Sequence, residues 1–170
     1  MHPPQIRTAR ILFLTLFLLL LSAACSHAQS LTCTRVVDGD TIVLSNGEKV
    51  RLIGVDTPET KHPRKPVEYY GKEASAFTKK MVEGKPVRLE YDWQERDKYG
   101  RLLAYVYLMD GTFLNAEIIK QGFGHAYTRF PFKYLDQFRQ YEKEAREGKR
   151  GLWADAVPAA ERPVTKDAER

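Results

Sequence analysis

The sequence contains few cysteine and histidine residues. Its 170 residues include two cysteines and four histidines, and no pair of them has the spacing of zinc ligands. The cysteines, Cys25 and Cys33, lie on opposite sides of a predicted processing site, so we expect no internal disulfide in the mature chain. A folded domain must therefore depend on its hydrophobic core.

Long apolar runs are absent except for a short one near the start of the chain. Two arginines precede Ile11–Leu21, an eleven-residue run that only Thr15 interrupts. A membrane span needs about 20 such residues. A positive segment followed by a short apolar run is instead typical of a signal peptide. Small residues in Ser26-His27-Ala28 favour cleavage after Ala28, so we predict a signal peptide over residues 1–28.

An alternative processing site lies just upstream. Ser22-Ala23-Ala24-Cys25 resembles a lipoprotein signal, with Ser where Leu is usual, and would attach the chain to a membrane at Cys25. Cleavage after Ala28 is favoured and predicts an exported protein, either periplasmic or secreted. Cys33 then remains alone in an alternating apolar stretch, which predicts a small buried residue rather than a nucleophile.

No charge of one sign dominates the composition. Lys and Arg total 27 against 22 Asp and Glu, giving a formal net charge of +5, which permits a nucleic-acid partner without requiring one. The 43% hydrophobic and 29% charged fractions are ordinary for a globular domain and exclude overall disorder, collagen and a polytopic membrane protein. We predict one domain over residues 29–153 and a disordered tail over residues 154–170.

Hydrophobic periodicity predicts five strands and three helices. The apolar residues Tyr70, Ala74, Phe77 and Met81 define one face of the first helix. Asn115 is a candidate cap of the second helix, with a start that already includes Leu114 as the alternative. The order βββαββαα predicts a mainly β, α+β protein built on a five-stranded OB-fold barrel with three helices. The predicted strands cover residues 31–36, 41–44, 49–55, 87–91 and 101–108, and the predicted helices 69–82, 115–121 and 133–147.

The dipeptide Asn46-Gly47 predicts a tight hairpin between the second and third strands. With a two-residue turn, Ile42 faces Arg51. Asp40, Ile42, Arg51 and Ile53 then share one face of the hairpin. Asp56 and Glu59 follow at the open end of the hairpin. We therefore expect three carboxylates and one guanidinium to converge on one rim of the barrel.

These residue types suit the cleavage of a phosphodiester. Oxygen ligands without histidine favour Ca²⁺ or Mg²⁺ over zinc. Glu59 is a candidate to hold an attacking water, and Arg51 and Arg101 are candidates to offset charge on a phosphate in the transition state. Lys98 is a candidate phosphate contact, and Tyr99 a candidate surface on which a base stacks.

Each of these patterns also has a structural explanation. The segments Asp38–Asp40 and Asp97–Gly100 are also typical of turns. Asp56–Glu59 is also typical of a turn leading into a helix. Arg51 interrupts an apolar run, where a structural ion pair with Asp40 or Asp56 would account for it.

Four motifs in order resemble the staphylococcal nuclease (thermonuclease) family. They are Val36–Thr41, Arg51–Pro63, Tyr70–Lys80 and Asp97–Tyr105, and the resemblance spans about Thr34 to Trp153. It implies that residues 29–153 form a nuclease domain with an OB-fold. The implied activity is that of a calcium-dependent endonuclease, a hydrolase of phosphodiester bonds in single- and double-stranded DNA and in RNA that leaves 3′-phosphates.

The resemblance also implies roles for single residues. Tyr127 joins Tyr99 at the nucleotide pocket, and Glu59 acts as a general base or orients the attacking water. We expect a monomer without an obligate protein partner. By the same resemblance Ca²⁺ is bound by the carboxylates of Asp40 and Asp56 and the carbonyl of Thr57, while Arg51 and Arg101 hold the scissile phosphate.

Some positions depart from the family pattern. Arg129 replaces a second tyrosine just after Tyr127, and the segment Thr128–Lys133 differs altogether, which bears on nucleotide preference. A catalytically inactive OB-fold protein that only binds nucleic acid is the alternative, and an OB-type adaptor for a protein or saccharide is a third class. The completeness of the set Asp40, Arg51, Asp56, Glu59 and Arg101 favours the enzyme.

Overall fold

The structure is a computed structural model that describes residues 31–60 and 68–154. The predicted signal peptide, residues 1–28, lies outside the described residues, as does the predicted tail from residue 155 onward. Within the described ranges, no helix is long and apolar enough to cross a membrane.

Five strands close into a barrel, as the sequence predicts. Their order around the barrel is β1-β2-β3-β6-β5, with β3 parallel to β6 and the other pairs antiparallel. Two short strands, β4 and β7, form a separate antiparallel ribbon. The strands are β1 Leu31–Asp38, β2 Thr41–Leu44, β3 Lys49–Leu52, β4 Val55–Asp56, β5 Pro86–Glu90, β6 Leu102–Leu108 and β7 His125–Ala126.

The described residues also form the three predicted helices. They are α1 (Gly71–Val82), α2 (Leu114–Lys120) and α3 (Leu135–Glu147), followed by one 3₁₀ turn at Gly151–Trp153. Leu152 in that turn is fully buried, and its N–H donates to the carbonyl of Gly122 at 2.8 Å. The observed α+β, mainly β architecture is the predicted OB-fold barrel with three helices.

The core lies inside the barrel and under the helices. Cys33 is fully buried within it, which confirms the predicted small buried residue, and its burial raises the pKa of the thiol. Other core residues are Ile42, Leu44, Val50, Leu52, Ala104, Val106, Ile118 and Phe138. The domain therefore buries a continuous apolar cluster contributed by both strands and helices.

The hairpin register predicted for β2 and β3 is wrong by one residue. Thr41, not Ile42, pairs with Arg51. The turn contains three residues, because the N–H of Leu44 donates to the carbonyl of Glu48 at 2.9 Å, and Gly47 adopts a left-handed φ of 85°. A one-residue shift moves every side chain to the opposite face. Ile42 therefore faces the core, while Arg51 and Thr41 face the rim.

The third predicted strand, residues 49–55, is interrupted. β3 ends at Leu52, and a turn leads into β4, where Asp56 pairs with His125 of β7. Gly54 in this turn has a φ of 72°, and a Cβ there would lie 2.7 Å from the ring of Phe132. Both the left-handed backbone and the close ring require glycine. The turn sends Asp56 away from the barrel wall and toward the rim.

Asn115 is not a helix cap, because the helix already includes Leu114, the alternative start considered above. The residue preceding α2 is Phe113, and Asn115 is fully buried inside the first turn. Its side chain accepts from the N–H of Val106 at 2.9 Å and donates to the carbonyls of Ile53 at 2.9 Å and Ala104 at 3.3 Å. Asn115 thus ties α2 to β6 and to the turn before β4.

We expect Asn115→Ala to lower the free energy of unfolding by about 3 kcal/mol, because it leaves buried backbone groups without partners. Urea denaturation measures this change. Asn46→Ala, at an exposed hairpin position, is the matched control and should cost less than about 1 kcal/mol, since water replaces its contact. Equal losses at both positions would contradict the structural role of Asn115.

Candidate active site

Arg51 of β3 lies at the centre of the candidate site. One terminal nitrogen, Nη1, is 3.1 Å from Oδ2 of Asp40, and the other, Nη2, is 3.2 Å from Oδ1 of Asp56. Nη1 also donates to the carbonyl of Val55 at 2.6 Å. The structure thus brings together three of the four residues that the sequence placed on one rim, Arg51, Asp40 and Asp56. Arg51 also forms ion pairs with Asp40 and Asp56, which is the structural explanation considered for this residue.

The loops around Asp40 hold both of its carboxylate oxygens. Thr57 donates to Oδ2 through its N–H at 3.0 Å and its hydroxyl at 3.2 Å, and the Thr41 hydroxyl donates to Oδ1 at 3.0 Å. A Cβ on Gly39 would lie 2.7 Å from the Thr57 side chain. Glycine in this turn therefore permits the close approach that places Asp40 beside Thr57.

Helix α1 supports the same turn from behind. The hydroxyl of Thr78, which is fully buried, donates to the carbonyl of Gly39 at 2.7 Å. Hydrophobic periodicity could not predict this contact, because it considers only apolar residues and Thr78 is polar. The predicted apolar face of α1 does pack on the core, with Ala74 fully buried and Phe77 and Met81 partly buried against it. Gly71, Thr78 and Val82 are further buried positions of the helix.

Asp38 is a site residue that the sequence reasoning did not select. Burial and the neighbouring carboxylates of Asp40 and Glu59 raise the pKa of Asp38 to about 7, although Arg51 opposes the shift. The sequence does point to Asp38, because it belongs to the same Asp38-Gly39-Asp40 motif as the selected residue Asp40. The rim therefore holds more carboxylates than the single guanidinium of Arg51 can balance, an environment that favours a cation.

Glu59 lies on the segment that follows β4. Its N–H donates to Oε2 of Glu68 at 3.0 Å, and its carbonyl accepts from the N–H of Glu68 at 3.0 Å. Glu59 is half-buried, and its charge contributes to the raised pKa of Asp38. The structure therefore places Glu59 in the same electrostatic environment as the acidic residues of the β1–β2 turn.

Arg101 is held beside the rim by Asp97. Its Nε donates to Oδ2 of Asp97 at 2.7 Å, and its Nη1 donates to the Thr41 hydroxyl at 3.5 Å. Burial tends to raise the pKa of Asp97, but hydrogen bonds from the side chain and N–H of Arg101 and the N–H of Tyr99 lower it. Thr41 contacts both Arg101 and Asp40, so it connects the second arginine to the first.

Lys98 and Tyr99 occupy the exposed turn before β6. Tyr99 is 71% exposed, with Lys98 Nζ 5.0 Å and Arg101 Cζ 5.6 Å from the centre of its ring. The turn expected from the sequence is present, since the N–H of Gly100 donates to the carbonyl of Asp97 at 3.0 Å. Its aromatic face is available to a ligand that also meets Arg101.

Tyr127 approaches the rim from the ribbon formed by β4 and β7. Its N–H donates to the carbonyl of Gly54 at 2.9 Å, directly after β7 pairs with Asp56. The side chain is half-buried, and its ring centre lies 6.1 Å from that of Phe130. The ribbon thus joins Tyr127 to the chain segment between Arg51 and Asp56.

Metal ligands at the rim would be oxygen atoms. Across residues 31–60 and 68–154, no group of three or more His, Cys, Asp or Glu side chains is arranged to hold a metal ion. The ligand set implied by the resemblance is smaller, with two carboxylates, from Asp40 and Asp56, and the carbonyl of Thr57. Such hard oxygen donors, together with the unbalanced negative charge around Asp38, have the chemical character that Ca²⁺ prefers in its ligands.

The closed OB-fold barrel carries two arginines and several carboxylates on one rim, a combination that suits an enzyme that hydrolyses phosphodiesters. Comparison with known sequences agrees, since the family described as "Staphylococcal nuclease homologue" matches residues 49–155. The chain belongs to the staphylococcal nuclease family. By this membership it is a nuclease, an enzyme that hydrolyses phosphodiester bonds.

Individual relatives cover most of the chain. The thermonuclease of Staphylococcus hyicus is 46% identical over 140 residues, which are 79% of this chain and 82% of that protein. The thermonuclease of Staphylococcus intermedius is 48% identical over 131 residues, 75% of this chain and 77% of that protein. Endonuclease YncB of Bacillus subtilis is 47% identical over 131 residues, 74% of this chain and 62% of that protein.

Proposed function

We propose that this nuclease is a calcium-dependent endonuclease that hydrolyses DNA and RNA to products ending in 3′-phosphate. The observation that carries the proposal is the guanidinium of Arg51, which lies 3.1 Å from Asp40 and 3.2 Å from Asp56. Arg101 is linked to the same group through Thr41. Relatives named thermonuclease and endonuclease support this activity.

The carboxylates of Asp40 and Asp56 and the carbonyl of Thr57 would hold the Ca²⁺. When bound, the ion supplies positive charge that offsets the negative charge of the scissile phosphate. Asp38 and Glu59 add to the negative potential that favours binding of a cation, as the raised pKa of Asp38 reflects. The oxygen-only donor set favours this ion over zinc.

The protein's own side chains supply the rest of the chemistry. Glu59 orients a water molecule and accepts its proton as the water oxygen bonds to phosphorus. The bond from phosphorus to the 5′-oxygen breaks, and that oxygen takes a proton from solvent, leaving a 3′-phosphate and a 5′-hydroxyl. Arg51 and Arg101 donate N–H groups to the phosphoryl oxygens as their negative charge grows.

Three further residues would hold the nucleotide. The exposed ring of Tyr99 offers a stacking surface for a base, and Lys98 beside it offers a cation to a phosphate. Tyr127 borders the pocket from the β4–β7 ribbon. Both DNA strands and RNA present the same phosphodiester to the arginines, so the proposal covers single- and double-stranded DNA as well as RNA.

We also propose that the enzyme acts outside the cytoplasm as a monomer. The pattern that supports export is the pair of arginines before the apolar run Ile11–Leu21, with cleavage after Ala28. A periplasmic or secreted nuclease would degrade foreign nucleic acid without access to the genome. Cleavage before Cys25 would instead leave the enzyme attached to a membrane.

The proposal is tested at Glu59. We expect Glu59→Gln to lower kcat about a hundredfold, the contribution of a general base, while changing calcium affinity far less. Hydrolysis of single-stranded DNA and RNA is followed in Ca²⁺, and mass spectrometry of the wild-type products should show 3′-phosphate ends. Calcium affinity is measured separately by calorimetry.

Glu68→Gln is the matched control. Glu68 is exposed, and its side chain accepts from the N–H of Glu59, a contact that glutamine can keep. This variant should retain nearly full kcat. If Glu59→Gln weakened calcium binding and left kcat unchanged at saturating calcium, Glu59 would be a ligand and not a base. A wild-type chain that binds oligonucleotides without cutting them would overturn the proposed activity.

A further inference from the structure

Four residues form an exposed apolar surface beside the candidate active site, which we call the aromatic platform: Trp93, Phe130, Pro131 and Phe132. Trp93 is 67% exposed and Phe130 is 57% exposed. Large apolar side chains gathered on a surface typically mark a place where a ligand or partner binds. None of the four has a role in the hydrolysis described above.

The platform is fixed in place by hydrogen bonds. The indole N–H of Trp93 donates to the carbonyl of Pro131 at 3.0 Å. Asp92, next to Trp93, accepts from the N–H groups of Trp93 at 2.8 Å and Lys133 at 2.9 Å, and from the hydroxyl of Tyr105. An aromatic ring held in this way can receive a flat ligand without losing rotational freedom.

An open groove of about 470 Å³ accompanies these side chains, lined by Asp92, Trp93, Pro131, Phe132 and Lys133. Among these lining residues, Phe132 also contacts the core, since its ring centre lies 5.4 Å from that of Phe138. A groove with apolar walls and a fixed indole suits a planar ring more than a charged chain.

The platform continues from the candidate active site. The ring of Phe130 lies 6.1 Å from that of Tyr127, which hydrogen-bonds to Gly54. The ring of Phe132 also lies next to Gly54, 2.7 Å from where a Cβ would be. A strand bound at Arg51 and Tyr127 could therefore pass over Phe130 and reach Trp93 without leaving the surface.

The charges along this path suit a polyanion. Arg129 is exposed and forms no ion pair with any residue that the structure describes. Lys133, at the far end, has its Nζ 2.7 Å from Glu90 and is 57% exposed. The acidic neighbour, Asp92, is engaged by three donors. The segment 129–133 therefore places three apolar rings between two cations, and surfaces that bind single-stranded nucleic acid combine the same two features.

We propose that the aromatic platform is an extended subsite for single-stranded nucleic acid, on which bases flanking the scissile bond stack at Phe130 and Trp93. This inference rests on the proposed function, because it extends the substrate path of the same site. Stacking needs unpaired bases with free faces, so the subsite distinguishes single strands from duplexes and long strands from short ones.

Equilibrium binding in the presence of a chelator tests the platform apart from catalysis. The probes are fluorescent single-stranded oligonucleotides of about four and about twelve nucleotides. Both lengths lie within the range of about 4–16 nucleotides that one OB-fold binds. We expect Trp93→Ala to weaken binding of the longer probe about tenfold, the effect of removing one stacked base, and binding of the shorter probe less than about twofold.

Two further variants serve as controls. Trp93→Phe keeps an aromatic ring and should bind the longer probe within about threefold of the wild type. In the wild type this probe should quench tryptophan fluorescence, and in Trp93→Phe the quenching should disappear. Met109→Ala removes an equally exposed apolar side chain, 66% exposed, at the opposite end of the β5–β6 hairpin, and should leave binding unchanged.

The outcomes separate the two proposals when hydrolysis in Ca²⁺ is measured in parallel. Loss of tenfold affinity in Trp93→Ala together with an inactive wild type would retain the platform and reject the proposed activity. An active wild type with unchanged binding in Trp93→Ala would reject the platform alone. An equal loss for both probes would also reject it, because the substitution would then be disturbing the central site.

Discussion

We expect hydrolysis of DNA and of RNA to stop when a chelator removes divalent cations and to return when Ca²⁺ is added. The reason lies in the charge of the rim, where burial together with the nearby carboxylates of Asp40 and Glu59 raises the pKa of Asp38 to about 7. Without a cation these carboxylates repel the phosphate of the substrate. The oxygen-only donor set predicts restoration by Ca²⁺ and none by Zn²⁺.

Activity and stability measurements together test this expectation. Calcium at a hundred times its dissociation constant should stabilise the folded chain by about 2.7 kcal/mol, measured as a rise in Tm. Asp40→Asn should abolish most of that rise, because it removes a charged ligand. Full activity in the chelator, with no effect of calcium on Tm, would show that the rim does not depend on a metal.

Arg51→Ala should lower both kcat and stability. We expect a loss of about 10²–10³-fold in kcat, the effect of removing one transition-state donor. We also expect a loss of about 3 kcal/mol in the free energy of unfolding, because Asp40 would keep a largely buried charge without its partner. The side chains of Arg51 and Asp40 are only 16% and 9% exposed, so solvent screens the pair weakly.

Arg101→Ala provides the matched comparison. Its rate loss should be similar to that of Arg51→Ala, but its stability loss should stay below about 1 kcal/mol. Asp97 would still accept the N–H groups of Tyr99 and residue 101, and the Arg101 side chain is more exposed, at 28%. Steady-state kinetics and urea unfolding measure the two effects.

One result would contradict the catalytic role of the two arginines. Rate losses below about tenfold in both variants would assign the two arginines a structural role only. Arg51→Lys separates charge from geometry, because lysine keeps the positive charge but cannot contact two carboxylates in the fork arrangement. We expect this variant to regain most of the stability and little of the rate.

Local sequence patterns predicted the barrel strands and helices well, because each has a clear hydrophobic period. The β2–β3 register could not be derived, since Asn46-Gly47 is compatible with both two-residue and three-residue turns. The meeting of Asp40 with Arg51 was nevertheless predicted correctly. Asp40 lies in the turn before β2, where strand alternation does not fix its side chain, and the long side chain of Arg51 reaches it.

Other parts of the site depend on packing between distant segments. Thr78 and Asn115 bind backbone carbonyls across the fold, and a polar residue within an apolar pattern does not indicate which carbonyl it will meet. The pKa of Asp38 depends first on its burial and then on the charges of Asp40 and of Glu59, which follows β4. Such effects arise only in the folded state, so periodicity and composition cannot predict them.

The candidate site is assembled from segments that are far apart in the chain. Asp40 precedes β2, Arg51 lies in β3, and Arg101 precedes β6, which pairs with β3 only when the barrel closes. An unfolded chain therefore has no site, and the newly made enzyme is inert until it folds. A cell that exports this chain before folding would be protected from its own nuclease by the timing of folding, without a separate inhibitor.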